Sequence, residues 1–127
     1  MTERNKTDTV EDAAEVAKLR LRGDLKLAMQ ARAKLETSLL RAIIAALDNA
    51  QAVPARDKHA RYVEHEFGDP AAEVPRLRLD AQDVRTLLEQ EIRSRREAAD
   101  QFEQLGKTDR AAELREEANI VARYLVG

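Results

Sequence analysis

Apolar residues recur every three or four positions through the first half of the chain, which is the spacing of helices that bury one face. No proline interrupts residues 9–51, and Thr9 followed by Asp12 forms a weak capping box. The pattern predicts one long helix over 9–51, or two helices separated by a kink near residues 33–36. The apolar positions are Leu21, Leu25, Ala28, Met29, Leu39, Leu40, Ile43, Ile44 and Leu47.

Two further helices are predicted in the last third of the chain. Asp80 is a good N-cap for the first, and Asp83 lies in its first turn, where the helix dipole favours an acid. Gly106 suits the end of this helix, and Thr108 can cap the next. The short turn between them predicts an antiparallel hairpin. The two apolar stripes are Val84, Leu88, Ile92, Ala99 and Phe102, then Ala111, Leu114, Ala118, Val121 and Leu125.

Residues 52–79 have a different character, because all three prolines lie here, at Pro54, Pro70 and Pro75. We interpret this stretch as a long connection with a short helical piece at about 58–67. Residues 76–79 alternate between polar and apolar side chains. The first eight residues are polar, so we expect residues 1–8 to be disordered.

The composition is typical of an all-α protein. The 127 residues include four glycines and three prolines, and only 3% are aromatic. None of the apolar stripes is stable alone in water, so the helices must pack together. We therefore predict an all-α fold, a small bundle of three to five helices ending in an antiparallel helical hairpin, in a single domain over residues 9–127.

The charge balance is nearly even and disfavours one functional class. The net charge is −2, and residues 1–53 alone carry nine basic and eight acidic residues. A general electrostatic nucleic-acid binder is expected to be strongly basic. No apolar run is long enough to span a membrane, and no apolar leader follows Met1, so we expect a cytoplasmic protein.

Catalytic and metal-binding patterns are not found in the sequence. There is no cysteine, no glycine-rich phosphate loop and no nucleophile-elbow motif. His59 and His65 are six residues apart, which does not place both rings on one helix face. We expect no catalytic residues, no metal site and no cofactor.

The arginines of the third predicted helix are the next candidates for chemistry. Arg93 and Arg96 can contact phosphates, but Glu89 and Glu91 lie four residues before Arg93 and Arg95 and can pair with them. Arg95 falls in the gap of the apolar stripe, where a charge must be paired. Glu117 on the last helix is its expected partner in a structural ion pair.

Two blocks of sequence resemble the GatB/YqeY domain family. The first is DLKLAMQAR at residues 24–32, followed by Leu40-Arg41 and Ala45-Ala46-Leu47. The second runs from EIRSRRE at residues 91–97 through Phe102 and GKTD at 106–109 to Tyr124-Leu125. Family members continue past this point into a small tail domain, so the resemblance covers the helical part only, with the tail domain missing.

The resemblance implies an all-helical accessory or binding module without catalytic activity. In the family's amidotransferase setting the module helps to engage tRNA, while catalysis lies elsewhere. The implied biology is that of tRNA-dependent amidotransferases, which are carbon–nitrogen ligases with glutamine as amido-N-donor. The implied partners are tRNA or an amidotransferase-type protein. For RNA binding, the residues to test are Arg41, Arg93 and Arg96.

A protein-interaction module with no RNA role is the alternative. It would bind through the 58–67 segment, which carries Tyr62 and Phe67, or through an exposed helix stripe. Self-association as a homodimer belongs to this alternative. A third interpretation, an enzyme without a known motif, requires a pocket with convergent polar groups.

Overall fold

Four α-helices make up most of the computed structural model, which describes residues 12–52 and 76–125. They are α1 (Ala13–Gln30), α2 (Lys34–Gln51), α3 (Ala81–Gln104) and α4 (Thr108–Ala122), and a short 3-10 helix (Arg123–Leu125) follows. The prediction of a small all-α bundle is confirmed. The predicted disorder of residues 1–8, the Thr9 cap and the helical piece at 58–67 lie outside the described residues.

The first half of the chain forms two helices, which settles the choice left open by the sequence. α1 ends at Gln30 because Arg32 adopts a left-handed conformation, with φ of 58°. The amide of Ala33 donates to the Ala28 carbonyl at 2.9 Å, and that of Arg32 donates to the Met29 carbonyl at 3.1 Å. These two bonds form a Schellman motif, and the break lies slightly before the predicted 33–36.

The start of α1 differs from the prediction. Asp12 is the N-cap, and its carboxylate accepts from the Glu15 amide at 3.4 Å. The predicted capping box placed Asp12 inside the first turn of a helix, whereas Asp12 directly precedes the first turn of α1. Asp and Thr are both good caps, and sequence alone does not rank them at this distance.

The ends of α3 follow the predicted chemistry. Asp80 accepts from the Asp83 amide at 2.8 Å, and Asp83 accepts from the Asp80 amide at 3.1 Å. Gly106 has φ of 79°, and the Lys107 amide donates to the Phe102 carbonyl at 2.8 Å. This Schellman turn leads directly into α4, whose N-cap is Lys107. Thr108 is therefore the first helical residue rather than the predicted cap.

Both pairs of helices pack as antiparallel hairpins, and the main core lies where the pairs meet. All four helices contribute to it. A smaller cluster, formed by Ala99, Ala111 and Leu114, belongs to α3 and α4 alone. The main core contains Ala14, Leu21, Ala28, Leu39, Leu40, Ile43, Leu47, Leu79, Val84, Leu88, Ile92, Ala118, Ile120 and Val121.

Burial confirms most of the predicted apolar stripes, with two exceptions. Met29 was assigned to the stripe of α1 but is 49% exposed, because the helix ends one residue later and its side chain turns toward Arg41. Ile120 is buried in the core but was left out of the α4 stripe. It lies next to Val121, and α4 therefore buries a wider face where it meets the first hairpin.

The extended segment 76–79 joins the two hairpins. The Leu77 amide donates to the Gln51 carbonyl at 2.7 Å, and the Ala13 amide donates to the Leu79 carbonyl at 2.8 Å. Leu79 is buried, whereas Leu77 is 45% exposed. Across the described parts of the chain, no helix has both the length and the apolar character needed to cross a bilayer.

Two glycines with open space around them should respond in opposite ways to alanine. Gly23 lies inside α1, and Gly23→Ala should raise the free energy of unfolding by about 1 kcal/mol, because alanine favours helix. Gly106→Ala should lower it by about 1 kcal/mol, because alanine is strained at positive φ. Chemical denaturation measures both. If both substitutions changed the free energy of unfolding in the same direction, the assigned backbone conformations of Gly23 and Gly106 would be contradicted.

Candidate functional site

The turn end of the α1–α2 hairpin carries an excess of positive charge. Residues 19–46 contain six basic and two acidic residues, a net charge of +4. All six basic side chains are exposed. We call this group the basic turn, and it comprises Arg20, Arg22, Lys26, Arg32, Lys34 and Arg41.

Both acidic residues of this region are engaged by the C-terminal end of the chain. The Tyr124 hydroxyl donates to Asp24 Oδ2 in a short hydrogen bond. Glu36 Oε2 lies 4.0 Å from Arg123 Nη1. The two acids therefore face Tyr124 and Arg123, and Arg123 adds one more positive charge to this end of the bundle.

A cleft of about 320 Å³ surrounds these contacts. The Arg20 guanidinium lies 4.6 Å from the centre of the Tyr124 ring, and Arg20 Nη2 donates to the Arg123 carbonyl at 3.4 Å. Burial, followed by the hydrogen bond to Asp24, raises the pKa of the Tyr124 hydroxyl. A phenol is already protonated at neutral pH at its ordinary pKa, so Tyr124 serves as the donor in this hydrogen bond. Leu27, Ala28, Ala31 and Ala33 also line the cleft.

The open end of the α1–α2 hairpin holds an ionic cluster around a buried lysine. The Lys18 side chain is 3% exposed, and its Nζ lies 2.6 Å from Asp48 Oδ1 and 3.0 Å from Glu15 Oε2. Its hydrogen bonds hold the pKa of both carboxyls below their ordinary values. Buried Gln51 donates to Glu15 at 3.0 Å and accepts from Arg76 at 3.2 Å.

Sequence reasoning did not single out this cluster, although a signal was present. Lys18 lies three positions before Leu21, and Gln51 lies four positions after Leu47, so both continue the apolar stripes of their helices. A polar residue at a core position needs partners. Glu15 reaches Lys18 within α1. Asp48 reaches Lys18, and Glu15 reaches Gln51, only because α1 and α2 run antiparallel.

The three arginines proposed for RNA contact do not lie on one helix. Arg41 belongs to α2, where its Nη2 lies 3.8 Å from the Met29 sulfur, and Arg93 and Arg96 are exposed on α3. Glu89 and Glu97 are also exposed beside the α3 arginines. The basic turn therefore includes only Arg41 of the three.

Arg95 lies in the gap of the α3 stripe and contacts the residue named as its partner. Its Nε donates to Glu117 Oε1 at 3.1 Å, and its Nη1 donates to Glu91 Oε1 at 2.7 Å. The Arg95 and Glu117 side chains are both largely buried. By contrast, Arg93 forms no ion pair with Glu89 among the ion pairs of the described helices. The geometry fits a structural role for Arg95.

Tyr62 and Phe67, together with His59 and His65, lie outside the described residues. Among the residues that are described, no group of three or more histidine, cysteine or acidic side chains is placed to hold a metal ion. In the described part of the first hairpin, the fold brings charged groups together in the ionic cluster, the Tyr124 cleft and the basic turn.

A protein-family comparison matches residues 18–126 to the model of YqeY-like proteins. The chain belongs to the YqeY-like protein family. No curated protein and no solved structure matches it significantly.

The YqeY-like match spans both hairpins, and so includes both blocks of the resemblance. In the fold, both blocks contribute to the main core, and they also share a polar contact, because Asp24 from the first block accepts the hydrogen bond of Tyr124 from the second. Asp24 and Tyr124 are a hundred residues apart in the chain. The Tyr124 contact therefore links the two sequence blocks of this YqeY-like protein.

Removal of the Tyr124 hydroxyl should weaken the attachment of the short 3-10 helix (Arg123–Leu125) to α1. We expect Tyr124→Phe to lower the free energy of unfolding by about 1–2 kcal/mol, since a hydrogen bond to a charged acceptor is lost. Asp24→Asn, which keeps an acceptor, should cost less. Urea denaturation of these two variants, of Asp24→Ala and of Tyr124→Phe combined with Asp24→Ala checks this. Fully additive effects would show that the two groups do not interact.

The ionic cluster should make stability depend on acid pH. Glu15 and Asp48 have pKa values below the ordinary 4.5 and 3.8, so their contribution is present above those values. It is lost as the pH falls through the depressed pKa values, because the unfolded chain then binds more protons. Thermal melts between pH 7 and 3 should show this loss, and Lys18→Met should reduce the slope.

Asp48→Asn provides the matched test at neutral pH. It leaves the buried Lys18 ammonium with Glu15 as its remaining carboxylate within 4 Å in the described residues. We expect a loss of about 2 kcal/mol, whereas Lys18→Met should stay within about 1 kcal/mol of the parent, because the freed carboxylates are half exposed and regain water. A larger loss for Lys18→Met would contradict this explanation.

Proposed function

We propose that this YqeY-like protein is a non-catalytic accessory module that binds tRNA through the basic turn. It would act with a tRNA-dependent amidotransferase, the setting in which the wider GatB/YqeY family is understood. The proposal includes a cytoplasmic location, where such a partner works. The observation that carries it is the net charge of +4 over residues 19–46, on a protein whose overall net charge is −2.

The contacts of the two acidic residues in this region leave the exposed basic side chains available to a polyanion. Asp24 and Glu36 are the acidic residues of this region, and they face Tyr124 and Arg123 rather than the exposed basic side chains. Long, exposed lysine and arginine side chains can adapt to the spacing of phosphates. The net charge of +4 belongs to residues 19–46 alone. The nearly neutral net charge of the whole chain therefore does not argue against tRNA binding at the basic turn.

The α3 arginines are a weaker choice for the same contact. Arg93 and Arg96 share their exposed surface with Glu89 and Glu97, so the local charge nearly cancels. Asp100 lies one turn further on and pairs with Arg115 from α4 at 3.1 Å. A phosphate backbone placed there would meet carboxylates as well as guanidinium groups.

A role without catalysis is supported by the way charged groups are used. In the ionic cluster, Lys18 is paired with Glu15 and Asp48, and Gln51 is hydrogen-bonded at both ends of its amide. In the cleft, the Tyr124 hydroxyl is committed to Asp24. These groups act on one another and stabilise the fold, and none is aimed at an open position as a nucleophile or base would be.

A salt titration of tRNA binding tests the proposal. Fluorescence anisotropy with bulk tRNA should show an affinity that falls steeply with salt, because counterions are released. The double variant Lys34→Gln with Arg41→Gln should weaken binding about tenfold and reduce the logarithmic salt slope by about two. Both side chains are exposed, so the fold should be unchanged.

The matched control is Arg93→Gln with Arg96→Gln, which removes the same charge from α3. We expect this control to change the affinity less than about twofold, since its surface is nearly neutral. No binding at low salt would overturn the proposal. A larger loss for the α3 control would move the contact to α3 and reject the basic turn.

A further inference from the structure

The outward face of α1 carries large apolar side chains that the bundle does not use. Val16, Leu19 and Leu27 are 64%, 69% and 63% exposed. With Gly23 they are separated by three, four and four residues, so they form one stripe along the helix. We call this stripe the outer face of α1. The helix packs against α2 through the opposite side, with Ala14, Lys18, Leu21 and Ala28 buried.

The centre of the outer face is open to close approach. Gly23 lies between Leu19 and Leu27, and a Cβ added to it would meet nothing within 4 Å. A second helix crossing here would find apolar side chains on both sides of a position without a side chain. That profile fits a helix that presents its own apolar residues at intervals of three and four.

The charges beside the outer face select the partner. Arg20, Arg22 and Lys26 border it and are exposed. The neighbouring acids are engaged within the chain, since Asp24 accepts from Tyr124 and Glu15 pairs with Lys18. A second copy of this chain would bring two sets of basic residues together, and like charges at an interface oppose association. A partner with acidic flanks would be attracted instead.

We propose that the outer face of α1 docks an amphipathic helix of a partner protein, with apolar residues over Val16, Leu19 and Leu27 and acidic residues beside Arg20, Arg22 and Lys26. The proposal goes beyond tRNA binding and does not rest on it. The three apolar side chains that carry it are not part of the basic turn, so each proposal can fail without the other.

The first probe is a labelled amphipathic peptide of about 18 residues, five helical turns, with leucines on one face and glutamates on its flanks. Its matched control has lysines in place of the glutamates. We expect saturable binding of the glutamate peptide, and binding of the lysine peptide at least about tenfold weaker. Equal binding of both peptides, or none of the glutamate peptide up to about 1 mM, would overturn the proposal.

Variants of the protein locate the site. Leu19→Gln with Leu27→Gln should weaken peptide binding at least about tenfold and leave tRNA binding within about twofold. Leu105→Gln is the control, because Leu105 is equally exposed but lies at the turn between α3 and α4. Gly23→Gln is a second variant, which should obstruct the helix crossing without disturbing the fold. Unchanged peptide binding in both outer-face variants would overturn the proposal.

Two further outcomes would reject a protein helix as the occupant. Sedimentation could show a dimer that Leu19→Gln with Leu27→Gln dissociates, which would make a second copy the occupant. Vesicles of anionic phospholipid could compete with the peptide and bind only the parent protein, which would make a lipid surface the occupant. We expect a monomer and no such competition.

Discussion

The antiparallel packing of α1 against α2 is the constraint on which the other features depend. It is set at one end by the turn in which Arg32 adopts positive φ, and at the other by Lys18, which is buried between Glu15 and Asp48. The buried ammonium has to be paired, because an isolated charge in the core is costly. This arrangement collects acids at the open end of the hairpin and leaves the bases at the turn end.

The second hairpin is attached to the first in two places. One lies beside the ionic cluster, and the other lies beside the basic turn. The 76–79 segment hydrogen-bonds to Gln51 and Ala13, and Arg76 joins the ionic cluster. At the other end, Tyr124 donates to Asp24, and Arg20 stacks on its ring. The hydrogen bond from the neutral phenol leaves the charge of Asp24 unchanged but turns its carboxylate toward Tyr124. Arg123 adds one positive charge beside Glu36.

The first hairpin carries the two surfaces that we propose as binding sites. The basic turn presents flexible cations at the end of the hairpin, whereas the outer face presents Val16, Leu19 and Leu27 along its length. Binding at a phosphate backbone depends on salt, while apolar docking depends on shape and buried area. Arg20, Arg22 and Lys26 border both surfaces, so an acidic partner helix and an RNA would compete for these three cations.

The sequence by itself determined the helix class, the Asp80 cap, the Gly106 turn and most of the buried stripes, because these depend on neighbours within a few residues. The gap at Arg95 also followed from periodicity, and Glu117 was named as its partner because a buried arginine must be paired. The termination of α1 at Gln30 and the caps at Asp12 and Lys107 were not predictable, since several local choices have similar free energies. The excess of bases over residues 19–46 can be counted in the sequence. Only the tertiary structure decided the contacts of its acids, because Tyr124, a hundred residues away, donates to Asp24, and Arg123 lies beside Glu36.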